Sequence, residues 1–226
     1  MPDLSHLSAT PSVPAPPSAA TLLAAQLDCS ALHLLPSQIL HHLHGVHFAA
    51  DSFNPGLGSG RFHPFKDLLG NWVPTYYAAD SEAGAYCETV FRALDPQGLS
   101  PSVVPRKMLA LQSYAQLQLR RPLQLAHLQG NTLRQLGVTR AALLEPGVLH
   151  YPASAAWAAA IHHHYPALHG LAWLSRQHDA SHCYLFFGDR VQPSDLHILH
   201  TLELASPSGR MRADVVAHSL GIVISR

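Results

Sequence analysis

Apolar and polar residues change their spacing several times along this chain, and each change predicts an element. Thr75 to Ala79 joins β-branched and aromatic residues between Pro74 and Asp80, which predicts a strand. Ser81 then stands where a helix N-cap is needed, and Ala83, Cys87, Val90, Phe91 and Leu94 recur at helical spacing. Leu109–Leu119 and Leu123–Leu128 predict two more strands, and Asn131–Leu136 and Arg140–Leu144 two short helices. Ala153–His164 predicts a helix that stops before Pro166, because a proline disfavours helical backbone in the residue before it. Gly170–Ser175 and Cys183–Phe187 are short continuous apolar runs, expected of buried strands, with the polar loop Arg176–His182 between them. Helices and strands mix without regular alternation, so the expectation is α+β, a mixed sheet core with surrounding helices, and not a doubly wound sheet.

The N-terminal stretch differs in kind. Residues 1 to about 20 are rich in Pro, Ser and Ala, which predicts a flexible leader, and Ala19–Leu27 suits a short helix. The expected organisation is therefore a leader over residues 1–38 and one folded domain over 39–226. No internal repeat is present.

Composition narrows the function classes. Hydrophobic residues make up 47% of the 226, enough for a sizeable core, while charged residues are only 12%. Lys+Arg and Asp+Glu are each 14, so the chain lacks the basic excess of a direct nucleic-acid binder. Three cysteines without CxxC spacing argue against a disulfide framework and a cysteine zinc site, and they fit a reducing cytosol. No run approaches the roughly 18 apolar residues of a membrane span. No Lys or Arg precedes the first apolar stretch, so a secretory signal is not expected. The expectation is a soluble cytoplasmic protein.

Candidate chemistry concentrates between Gly60 and Glu88. Turn residues Asn54-Pro55-Gly56 and Gly58-Ser59-Gly60 lead into Arg61, whose guanidinium fork suits phosphate or carboxylate. Tyr76 and Tyr77 come next on the predicted strand, pointing to opposite faces, so that one is core and the other can line a pocket. Glu88 lies on the next helix, where the bland alternative is an i,i+4 pair with Arg92. A cation, an aromatic and an anion from consecutive elements suit a phosphate-bearing aromatic ligand. Ser175 ends an apolar run at the start of a polar loop but has no GxSxG elbow around it, so an α/β-hydrolase is not expected. The histidines at 41, 42, 44 and 47 and at 162 to 164 lack HExxH spacing and acidic neighbours, and no metal site is expected.

Taken in order, these residues resemble the RES domain family. The resemblance runs through Phe53-Asn54-Pro55-Gly56, Gly60-Arg61-Phe62, Tyr76-Tyr77-Ala78-Ala79, Glu88-Thr89, Gly170-Leu171-Ala172-Trp173-Leu174-Ser175-Arg176 and Leu185-Phe186-Phe187-Gly188-Asp189-Arg190, over roughly residues 39 to 200. It implies a fold like that of ADP-ribosyltransferases and an NAD-consuming activity, as an NAD phosphorylase or glycohydrolase. NAD is then the substrate, with inorganic phosphate as co-substrate in the phosphorylase case. Arg61, Glu88 and Ser175 take the catalytic places, and Tyr76 or Tyr77 that of the pocket tyrosine. The resemblance also implies the toxin of a bacterial toxin–antitoxin pair, with a small helix-turn-helix (Xre-type) antitoxin as partner. Self-association into a homo-oligomer is left open. Protein ADP-ribosylation and a non-catalytic NAD- or antitoxin-binding module are the alternatives. Family members commonly carry a further arginine in an early Tyr-Arg-Val or Tyr-Arg-Ile strand. Here that stretch is His41-His42-Leu43-His44, and no arginine precedes Arg61. His42 would take its substrate-binding place, holding phosphate more weakly above its pKa near 6.5.

Overall fold

The computed structural model describes residues 12–94 and 102–225. In chain order, α1 (Ala19–Ala24) and β1 (Leu32–Leu34) precede β2 (Ile39–Gly45), β3 (Thr75–Ala79) and α2 (Glu82–Glu88). Next come β4 (Ser102–Pro105), β5 (Gln112–Leu119), β6 (Leu123–His127), α3 (Gly130–Gln135), α4 (Arg140–Leu144) and α5 (Tyr151–His164). The chain continues through β7 (Gly170–Leu174), β8 (His182–Phe187), β9 (Leu196–Glu203), α6 (Pro207–Ser219) and β10 (Ile222–Ser225).

Eight strands form one sheet in the order β1-β6-β7-β8-β3-β2-β5-β9, and β4 pairs with β10 apart from it. Every pairing in the large sheet is antiparallel except β6 with β7. The architecture is thus α+β, as the mixed periodicity predicts.

The central strands explain why their sequences are apolar without alternation. Tyr76, Ala78, Tyr184 and Phe186 lie in one apolar cluster with Leu40, Leu117 and Ala172. Their neighbours Ala79, Cys183, Leu185 and Phe187 lie in the other with Leu43, Tyr114, Trp173 and Leu171. A strand covered on both faces has no polar side to reveal its period.

One interruption in the sheet creates the site. β3 is fully paired with β8, from Thr75↔Phe187 to Ala79↔Cys183. Between β2 and β3 the register is limited to His41↔Ala79. The rest of β2 and the start of β3 line a cavity instead of closing a ladder.

Several expected boundaries move. α2 ends at Glu88 and does not run on to Leu94, because Thr89 leaves helical backbone (φ −117°, ψ −86°). The Phe91 amide then bonds back to the Tyr86 carbonyl at 3.0 Å, so a turn and not a helix buries Phe91. Residues 106–108 form a short 3₁₀ turn ahead of β5, which begins at Gln112 and not at Leu109. β9 shows no periodicity at all, since its middle residues are exposed on both faces of an edge strand.

The segment read as a leader is packed from residue 12 onward, and residues 1–11 lie outside the described residues. Leu22 and Leu27 are completely buried. The Tyr165 hydroxyl donates to the Leu22 carbonyl at 2.6 Å, and the Trp157 indole donates to the Pro14 carbonyl at 2.7 Å. β1 adds a strand to the sheet beside β6. Among the described residues, no helix is long and apolar enough to cross a membrane.

Candidate active site

Glu88 reaches the cavity because α2 is pinned at its start. The Ser81 hydroxyl accepts from the Gly84 amide at 3.0 Å and is hydrogen-bonded to the Ser181 hydroxyl. A Cβ on Gly84 would stand 2.8 Å from the Ser181 Cβ and 3.1 Å from the Ala79 Cβ, so only glycine lets α2 approach this closely. The helix therefore ends with Glu88 over the gap between β2 and β3.

Arg61 arrives from the opposite side, on the turn before β3. The Tyr77 hydroxyl donates to the Arg61 carbonyl, and a Cβ on Gly60 would meet that hydroxyl at 3.0 Å. The Arg61 guanidinium lies 6.0 Å from the centre of the Trp173 ring. Its Nη1 donates to Glu88 Oε2 at 3.2 Å, with the arginine 7% and the glutamate 13% exposed. Buried Arg61 Nε has no acceptor among the described residues.

Ser175 completes the group from behind. Its Oγ donates to Glu88 Oε1 at 3.0 Å and accepts from the Gln177 amide at 3.3 Å. The serine is fully buried and does not line the cavity. Arg140 clamps this strand end by donating to the carbonyls of Leu174 and Ser175, each at 3.2 Å. Both oxygens of Glu88 are thus engaged by residues far away in sequence. A carboxylate fixed by charge-assisted hydrogen bonds keeps its orientation without moving when charge develops nearby. The expected helix pair of Glu88 with Arg92 does not form: α2 stops at Glu88, and Arg61 and Ser175 are the partners found.

The cavity measures about 410 Å³ and is lined by Arg61, Glu88, Tyr77, Tyr76 and His42 among others. This volume lies in the range of small-molecule sites. Both tyrosines line the cavity, where only one was expected to, and they differ in their partners. Tyr76 is core and wall, donating to the Ala50 carbonyl at 2.7 Å. Tyr77 stands beside the Arg61–Glu88 pair, and burial pushes its hydroxyl well above its ordinary pKa, against the pull of the Arg61 charge. It stays protonated, and its one proton is the one donated to the Arg61 carbonyl.

His42 shares the cavity but not the charge expected of it. Its ring packs tilted against Tyr76, with centroids 4.3 Å apart, and stacks on His44 at 5.4 Å. Burial, with His44 adding to it, lowers its pKa to about 3. The imidazole is neutral at ordinary pH and supplies no cation for a phosphate. Buried thiols are equally quiet: burial pushes Cys87 up to about 12 and Cys183 well above its usual value, which excludes a thiolate nucleophile here. Among the described residues, no three His, Cys, Asp or Glu side chains converge as a metal site.

Arg92 and Tyr151 also line the cavity, although neither was expected there from the sequence. The available signal for Arg92 was the β-branched pair Thr89-Val90, which weakens a helix after Glu88 and redirects the next few residues.

The chain is thus a mixed-sheet α+β domain with a buried arginine–glutamate–serine group at the gap between two parted strands. The family model that describes such a chain is the RES domain, which matches residues 38–206, and the chain belongs to that family. Among solved structures, it is similar to one titled "Crystal structure of the M.tuberculosis MbcT-MbcA toxin-antitoxin complex". The TM-score is 0.61 at 16% identity, over 87% of this chain and 97% of that one, a likeness of fold. No curated protein sequence matches the chain.

Proposed function

We propose that this chain is an NAD-consuming enzyme that cleaves the nicotinamide–ribose bond, acting in the cytoplasm as the toxin of a toxin–antitoxin pair. The observation that carries the proposal is the Glu88 carboxylate, held by Arg61 at 3.2 Å and Ser175 at 3.0 Å beside a cavity of about 410 Å³. Breaking the bond between nicotinamide nitrogen and ribose carbon leaves positive charge on the ribose, as in glycoside hydrolysis. A fixed carboxylate stabilises that charge and accepts from a ribose hydroxyl. Nicotinamide takes the bonding electron pair and departs neutral, because the bound nicotinamide is already cationic, and no general acid is required. Water then adds to give ADP-ribose and a proton, or inorganic phosphate adds to give the 1-phosphate of ADP-ribose.

In this scheme Ser175 and Arg61 act through Glu88, which they hold in place, and Tyr77 lines the ligand cavity while its hydroxyl fixes the Arg61 backbone. RES membership supports the assignment, and the toxin–antitoxin title of the similar structure supports an antitoxin as partner, which the family resemblance makes a small helix-turn-helix protein. Purified protein is expected to deplete NAD, and Glu88→Gln and Arg61→Ala to lower the rate by about a hundredfold or more. Wild-type protein that leaves NAD intact, with and without phosphate, would overturn the proposal. Labelled ADP-ribose on a protein product, in place of a small product, would instead identify a protein ADP-ribosyltransferase. The neutral His42 favours one further rival, a module that binds NAD or an antitoxin without turnover, which calorimetry with NAD separates from the enzyme.

A further inference from the structure

The walls of the cavity differ in character. On the β2 side, His44, His42, Tyr76 and Phe53 form a run of rings, with Phe53 and Tyr76 5.1 Å apart. His42 is held neutral there by burial, so this wall takes a flat, uncharged group. At the floor, Arg61 and Glu88 offset each other as an ion pair. Histidines aside, Arg92 carries the remaining formal charge among the described residues that line the cavity.

Among the described residues, Arg92 is anchored by its backbone and not by its side chain. Arg176 donates to its carbonyl at 2.8 Å, and the preceding Phe91 is completely buried. The side chain is exposed at the cavity, close enough for its charge to act on the Tyr77 hydroxyl. Arg61 meanwhile keeps a buried Nε with no acceptor among the described residues.

We propose that Arg92 binds the phosphate end of the ligand and thereby selects phosphorylated nucleotides over bare nucleosides. The inference rests on the cavity being the ligand site of the proposed function, but it concerns recognition and not bond cleavage. A planar guanidinium on a fixed backbone matches phosphate oxygens in pairs, which a lysine at the same place matches less well. A solvated surface arginine with no role in binding is the alternative to be tested.

Calorimetric titrations with ADP and with adenosine test it on wild-type protein, Arg92→Ala and Arg92→Lys. Arg92→Ala is expected to weaken ADP binding at least tenfold and to change adenosine binding less than twofold, with Arg92→Lys between. Wild-type affinity for ADP is expected to fall more steeply with salt than that of Arg92→Ala. If the protein turns NAD over, Arg92→Ala raises KM for NAD about tenfold more than it changes kcat. Equal ADP affinity in wild type and Arg92→Ala, an equal loss for adenosine, or no ADP binding by wild type would overturn the proposal. Wild-type protein that binds ADP through Arg92 yet leaves NAD intact would support it while overturning the catalytic assignment.

Discussion

Glu88 illustrates how single residues divide between what spacing reveals and what packing decides. Its place on a helix after the tyrosine strand is legible from Ser81 and the apolar residues downstream of it. Its partners are not, since Arg61 and Ser175 lie in distant parts of the chain and local pairing favoured Arg92. Ser175→Ala is expected to reduce NAD turnover less than Glu88→Gln, by about tenfold, because one of two donors on the carboxylate remains; an undiminished rate would remove the serine from the machinery. His42 is the converse case, where the position was legible and the charge was not. Burial lowers its pKa from 6.5 to about 3, so the unfolded state binds its proton first as the pH falls. The stability of the neutral form is present above about pH 6.5 and declines toward pH 3, by about 1.4 kcal/mol per pH unit. His42→Phe keeps a ring packed against Tyr76 and removes this slope. Denaturant unfolding at pH 7 and pH 5 should therefore show the variant gaining on wild type as the pH falls, and parallel behaviour would contradict the buried, neutral imidazole.

At the scale of elements, the strands buried on both faces were the easiest to read and the sheet edges the hardest. β3, β7 and β8 carry continuous apolar runs, so their existence can be read from composition within a few residues. β9 is exposed along most of its length, and β1 has only three residues, so neither shows a period to detect. α2 is short because Thr89 leaves helical backbone, and its close seat depends on Gly84. Gly84→Ala would set a Cβ 2.8 Å from the Ser181 Cβ. The expected cost is about 1–3 kcal/mol of stability, with a displaced Glu88 and reduced NAD turnover. A melt and a rate measurement check both, and a variant unchanged in each would show that α2 has room to shift.

Across the whole molecule, residues 12–38 belong to the fold. A Pro-, Ser- and Ala-rich composition reads as a leader because few of its residues are large and apolar. Leu22 and Leu27 are nevertheless fully buried, and Pro14 and Leu22 accept hydrogen bonds from Trp157 and Tyr165 on α5 and its C-cap. Leu27→Ala is expected to destabilise the protein by about 2–5 kcal/mol, and a denaturant midpoint equal to that of wild type would show the segment to be dispensable.

Sequence by itself determined the α+β class, the central strands, and, through the resemblance of its ordered motifs, the family and the residues that gather at the site. Those properties rest on local periodicity and on residue types in a recognisable order. Tertiary structure alone decided that β2 and β3 part after His41↔Ala79, that Ser175 grips Glu88 from behind, that His42 is uncharged, and that Arg92 faces the cavity. Each depends on which distant segments pack together, and on the burial that results, neither of which a local pattern contains.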